Sequence, residues 1–257
     1  MRRVVAPVPA LSALSALSAL SLLFATAAAA QWPPERLKNV KVLPSDIPIR
    51  ALVDTMAGFT RALGVRCTYC HVGQEGDPLE KYDFPSDEKP EKVKAREMLR
   101  MVGAINGEHL AKLDRRREPR IVVTCATCHR GVTEPRPVQQ LVLSAYDAGG
   151  ADSAEALYRA LRQRYYGRAA YDFGDVPLTA VAAALRARNR PADAVRFYLL
   201  NTELAPTSGF AFRQAAEGQL AVGDTAGAVA SLERALAINA NDPQAKQALD
   251  RLRPPRE

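Results

Sequence analysis

Two five-residue segments, Cys67-Thr68-Tyr69-Cys70-His71 and Cys125-Ala126-Thr127-Cys128-His129, use every cysteine of the chain and two of its three histidines. One turn of backbone can present two thiols, three residues apart, to the two vinyl groups of a single porphyrin. The adjacent imidazole then reaches the iron from the same side. C-x-x-C-H is the attachment signature of a c-type haem. Two such motifs imply two covalently attached haem c groups, one on Cys67 and Cys70, the other on Cys125 and Cys128, with His71 and His129 as iron ligands. Other uses of paired cysteines fit less well. Zinc ribbons separate their pairs by about 15–20 residues, whereas 54 lie between Cys70 and Cys125, and zinc would leave both histidines unexplained. A thioredoxin-like pair calls for a βαβ setting that neither motif has. A disulfide within C-x-x-C would close a strained small ring, and four cysteines in 257 residues are too sparse for a disulfide scaffold.

The start of the chain places these motifs in a compartment. Arg2-Arg3, an apolar Leu-Ser-Ala run from Leu11 to Leu23 and the small residues Ala25 to Ala30 have the layout of a signal peptide, residues 1–30, cleaved after Ala30. The serines at 12, 15, 18 and 21 and the prolines at 7 and 9 disfavour a retained anchor. No cysteine follows where a lipid could be attached. The expected location is therefore the periplasm or the outer face of the inner membrane. Loss of Arg2 and Arg3 lowers the formal charge from +7 to +5. That excess suits an acidic protein partner or an anionic membrane surface as readily as nucleic acid; with redox motifs present, the expected partners are protein electron donors and acceptors, and no nucleic acid.

Residues 31–140 are expected to form a dihaem domain. Ile49, Leu52, Met56, Phe59 and Leu63 recur at helical spacing, and Gly64 is placed to stop that helix. Gly73 to Ser86 reads as loop, Asp87, Glu88 and Pro90 open a second helix, and its apolar stripe is Met98, Met101, Val102 and Ile105. A methionine sulfur opposite histidine suits electron transfer, because it closes the iron and raises its potential. Met56 precedes the first motif on a helix that can lie along the porphyrin. In the second half, Met98 has Met101 and Ile105 at +3 and +7, as Met56 has Phe59 and Leu63, whereas Met101 has Ala104 and Glu108. Met98 is the better equivalent, with Met101 and His109 as alternatives. Methionines that merely fill core are the plain reading. For His109 it is a helix-surface position; for Arg115-Arg116-Arg117 it is a solvated charge run rather than a propionate or partner contact.

Beyond Arg136 there is no cysteine or histidine. Residues 141–170 read as a linker with a possible helix from Ala154 to Arg164. In residues 171–253, Pro191-Ala192-Asp193-Ala194-Val195 aligns with Thr225-Ala226-Gly227-Ala228-Val229, and Leu204-Ala205-Pro206 with Ile238-Asn239-Ala240, both at an offset of 34. That is the tetratricopeptide period, with Ala194, Ala228, Ala235 and Pro206 at its small-residue and closing-proline positions. An ordinary Ala/Leu-rich bundle is the alternative, and either way this part is all-helical. The fold class expected for the whole chain is mainly α: helix-plus-haem-turn units, then a tetratricopeptide-like domain.

Asn39 to Pro44, Met56 to Thr60, Leu63 to His71, Ala95 to Met101, Ile105-Asn106 and Val123 to Gly131 together resemble the cytochrome c subunit of photosynthetic reaction centres, over residues 37–137. In that family each unit is a helix supplying methionine, a turn, and the C-x-x-C-H. The resemblance thus implies Met56 and Met98 as axial ligands and a role in re-reducing a photo-oxidised donor. The family's subunits carry four haems, one of them bis-histidine, and many have a lipid-bearing cysteine; this chain has two motifs and a repeat-like extension. Three functions follow: one-electron transfer to a membrane-bound reaction centre or to a respiratory complex, a dihaem peroxidase-like enzyme with one displaceable ligand, or an assembly or sensing protein acting through its repeats. Electron transfer, with no substrate bond made or broken, is the expected activity, and the peroxidase-like enzyme is the second hypothesis.

Overall fold

The computed structural model describes residues 32–113 and 120–253. The expected signal peptide and Arg115 to Arg117 lie outside the described residues. The chain is mainly α-helical, and its described residues contain no strand, only an isolated antiparallel bridge between Val72 and Asp83.

Helix α1 (Ile49–Leu63) carries the amphipathic stripe and ends at Gly64, which takes the left-handed conformation at φ 67°. A short 3₁₀ turn at Cys67–Tyr69 follows, then the loop. Helix α2 (Pro90–Ala104) begins with proline at its first position, where the missing N–H costs nothing. It runs on through a π-helical turn, Ile105–His109, and a 3₁₀ turn, Leu110–Lys112. The second motif is itself the one-turn helix α3 (Cys125–His129). Between residues 32 and 137 only Ala62, Arg96 and Val132 are buried among the described residues.

The C-terminal part is packed differently. Helix α4 (Val138–Tyr165) bends at Gly149-Gly150, whose backbone leaves the helical region. Five helices follow: α5 (Asp175–Ala187), α6 (Pro191–Leu204), α7 (Gly209–Ala221), α8 (Thr225–Ile238) and α9 (Pro243–Leu252). The first residues of α5, α6 and α7 recur 34 positions later as those of α7, α8 and α9. The period read from the sequence is therefore a period of helix pairs, as stacked repeats require. Ala194, Ala228 and Ala235, the small residues of that pattern, are fully buried where helices meet. Ser208, Asp224 and Asp242 cap α7, α8 and α9 by accepting backbone N–H groups of the first turn.

Residues 141–170, read from the sequence as a linker with a possible helix, hold most of α4. Val138, Val142, Ala154 and Tyr158 of that helix enter the same core as Leu178, Leu185 and Phe197 of the repeats. Arg159 grips both carboxylate oxygens of Glu203 at 2.8 and 2.7 Å, a fork that ties α4 to α6. Asn201, 1% exposed, donates from Nδ2 to the Asp175 carbonyl at 2.6 Å and to Thr179 Oγ1 at 3.0 Å, locking α6 to α5. Replacing it with leucine keeps the volume but removes both bonds from the buried seam, leaving only the Thr179 hydroxyl on the Asp175 carbonyl. The expected loss is about 1–3 kcal/mol of stability, read by denaturant unfolding.

Candidate haem-binding sites

Both motifs form a single tight turn. In the first, the Cys70 N–H donates to the Cys67 carbonyl at 3.2 Å and the His71 N–H to the same carbonyl at 2.9 Å. In the second, Thr124 and Thr127 form a reciprocal cap at the start of α3, with the Thr124 N–H donating to Thr127 Oγ1 at 2.9 Å. Residues three and four apart share a helical face, so each turn sets its two sulfurs and its imidazole on one side. The four thiols are unpaired. Burial, aided by the charge of Glu91, pushes the Cys70 thiol up from its ordinary value, and burial does the same for Cys125. Among the described residues no three or more of His, Cys, Asp and Glu converge on a common metal position, so the two cysteine pairs stay apart.

The two histidines are held in different ways. His129 Nδ1 lies 2.9 Å from the Val132 carbonyl. A carbonyl only accepts, so Nδ1 is the donor here and Nε2 is the nitrogen left to face a metal. His71 packs edge-on against Phe84 with ring centroids 5.0 Å apart, and Phe84 in turn stacks on Tyr82 at 5.3 Å and leans on Trp32 at 5.2 Å. The Phe84 backbone lies beside the imidazole, yet buried Nδ1 closes no well-formed hydrogen bond. Burial first, then the cations of Lys92 and Arg96, hold His71 below its usual range, in the neutral form that ligates metal.

A charge cluster braces the loop behind His71. Asp87 accepts from Arg96 at 2.9 Å, Asn39 Nδ2 at 2.8 Å and Lys41 at 3.0 Å, with Lys92 at 3.2 Å. Arg96 also reaches the Asn39 carbonyl at 3.2 Å. Arg96 foremost, then Asn39 and Lys41, hold the Asp87 carboxyl far below the usual carboxylate range. A depressed carboxylate contributes stability that is complete above its unfolded value, about 3.9, and is lost as the pH falls from there toward the folded value. Thermal melts of native and Asp87→Asn protein should differ most at neutral pH and converge on acidification below about pH 4.

Helix α1 packs against α3 rather than only along the first motif. The Gly131 N–H donates to the Ala62 carbonyl at 2.8 Å, and a Cβ on Gly64 would meet the Gly131 oxygen at 2.2 Å. Asn106, just past α2, makes two bonds with Val123, each 2.8 Å, and so fixes the strand of chain entering the second motif. Met56 is half-buried on α1; Met98 and Met101 are 41% and 47% exposed on α2, and His109 is exposed. Val53, Tyr69 and Val93 add exposed apolar surface on α1, the first motif and α2. Paired thiols on one turn, an imidazole with its second nitrogen held or buried, and exposed apolar surface on α1, the first motif and α2 all fit a covalently attached porphyrin.

A model of the photosynthetic reaction centre cytochrome C subunit matches residues 22–148, which hold both motifs, α1, α2 and α3. This part of the chain belongs to that family. Membership in a cytochrome c family implies covalently bound haem. Over 68 residues, 26% of the chain, it is 43% identical to cytochrome c-554 of Chloroflexus aurantiacus, and the matched stretch spans 14% of that relative's length. Among solved structures, the first TPR of Spaghetti is similar over 45% of this chain and 86% of its own, at 19% identity and a TM-score of 0.31. PcrH from Pseudomonas aeruginosa (83% of its chain) and the Yersinia enterocolitica translocator chaperone SycD (75%) each match 45% of this chain at 22% identity and a TM-score of 0.28.

The two C-x-x-C-H turns, the helices and the 34-residue period are legible in the sequence. The aromatic stack behind His71, the Asp87 cluster and the Asn106 clamp were missed. Trp32, Tyr82 and Phe84 are three of only 16 aromatic residues, and their gathering before α2 was the available signal.

Proposed function

We propose that the chain is an exported c-type cytochrome with two haems, one on Cys67, Cys70 and His71 and the other on Cys125, Cys128 and His129, that passes single electrons between protein partners. Met56 and Met98 complete the two irons. The reading rests most on one observation: each C-x-x-C-H closes one turn that carries both sulfurs and the imidazole on a common side. A bound haem supplies a reversible Fe(III)/Fe(II) couple, and the protein sets its potential through ligands, burial and nearby charge. His71 and His129 would orient the ring through what holds their second nitrogen, and Met56 on α1 and Met98 on α2 would supply the thioether sulfurs.

The dihaem unit occupies residues 31–140 and the helical repeats residues 171–253, with α4 packed onto the repeats. Stacked helix pairs make an extended concave face, so the repeats serve as the docking surface for a membrane-bound reaction centre or a respiratory complex. No helix among the described residues is long and apolar enough to cross a membrane, and the periplasm or the outer face of the inner membrane is the proposed setting. The exposure of Met98 favours a second reading, in which that sulfur yields its position to peroxide.

Ferric and ferrous spectra of protein made with a c-type maturation system separate the two. Two low-spin methionine-ligated haems that reduce quickly with a small soluble donor, and ignore peroxide, are expected. A high-spin ferric haem that consumes peroxide would establish the enzyme instead.

A further inference from the structure

The two sites differ in how the proximal imidazole is supported, and the difference runs through one lysine. Lys92 Nζ, with its side chain only 12% exposed, donates to the carbonyls of Phe84 at 2.8 Å, Pro85 at 2.9 Å and Ser86 at 2.6 Å. The Phe84 carbonyl is the backbone acceptor beside His71, so the ammonium shares and polarises the group on which Nδ1 leans, and Nδ1 closes no well-formed bond of its own. His129, by contrast, has the Val132 carbonyl at 2.9 Å. A ligating histidine that donates its second N–H to a carbonyl becomes the more basic ligand and favours Fe(III). Charge acts in the same sense. Lys41, Lys92 and Arg96 surround the single carboxylate of Asp87, and Glu91 faces Cys70. The residual positive charge disfavours the more cationic oxidised iron. At the second site Arg130 is exposed, with its guanidinium turned to the carbonyls of Thr127 and Ala169, where water screens it.

We propose that Lys92, by bonding to the Phe84 carbonyl that faces His71 and so weakening it as an acceptor for the imidazole, makes the haem at Cys67–His71 the higher-potential member of the pair. The proposal rests on the dihaem reading. Lys92 is a positioning residue, acting through Phe84 and His71 rather than on the iron. It gives the electron a direction: the Cys125–His129 haem feeds the Cys67–His71 haem.

The test is a spectroelectrochemical titration of full-length, haem-loaded protein. Lys92→Met should lower the upper wave by at least tenfold in the reduction equilibrium, equal to 59 mV for one electron, and leave the lower wave in place. Lys92→Arg should restore it. Cys125→Ser/Cys128→Ser leaves Lys92 untouched and should retain the upper wave alone. Movement of both waves together, movement of the lower wave, no movement, or retention of the lower wave in the cysteine variant would each overturn the proposal. A haemochrome count on every sample keeps failure of the dihaem reading distinct: that reading fails on the count, this one on the order of potentials.

Discussion

Replacing Cys125 and Cys128 with serine should halve the haem content if the chain carries the two haems proposed, while the Cys67–His71 site should stay loaded. The covalent bonds depend on sulfur chemistry that a hydroxyl does not supply, so the loss is complete at that site. The first site survives because its supports are its own. His71 is buttressed by Phe84, Tyr82 and Trp32, and the loop behind it is pinned by Lys92, Arg96 and Asp87. None of these contacts passes through α3. The reciprocal Cys67→Ser/Cys70→Ser variant should also carry one haem. A haemochrome assay normalised to protein reads both, and an unchanged haem content in either variant would remove that motif from the account.

Gly64→Val should disconnect α1 from the second motif and deprive it of haem. Two costs combine. The residue sits at φ 67°, where an L side chain costs about 1–2 kcal/mol and a β-branched one more. Its Cβ would also lie 2.2 Å from the Gly131 oxygen, and a backbone atom cannot swing aside as a side chain would. Relief requires parting the Ala62–Gly131 hydrogen bond, the link between the end of α1 and the chain that positions His129. Gly76 supplies the control: it too has positive φ, 92°, but nothing lies within 4 Å of an added Cβ. Gly76→Val should show strain alone, with full haem content. Melting temperature and haem content measured on both variants separate backbone strain from lost docking; equal behaviour of the two would refute the contact.

The parts of the fold legible in the sequence are those governed by short-range periodicity. Ile49, Met56 and Leu63 lie seven apart and define α1, Gly64 stops it by its handedness, and the 34-residue offset appears intact in α5 to α9. Six of the eight expected site residues sit on a helix or a one-turn 3₁₀ helix, and Cys70 and His71 directly follow such a turn. What stayed hidden depends on contacts between distant residues. Asn39 meets Asp87 across 48 positions and Asn106 meets Val123 across 17, and neither asparagine sits in a pattern that announces its partner. Arg96 is nearly buried within a helix whose stripe pointed to Met98 and Met101, because its charge is answered by Asp87, which the sequence shows only as a helix-start signal. The packing of α1 against α3 escaped for the same reason: motif spacing assigns a helix to the haem that follows it, but two repeats of one unit can also bury their faces against each other.

The intact mass of the mature, purified protein, read beside its pyridine haemochrome, probes the reading at its root. A polypeptide heavier by two porphyrins, with two haems per chain that survive acid extraction, is the expected result. A colourless protein with the bare mass of its amino acids would contradict it.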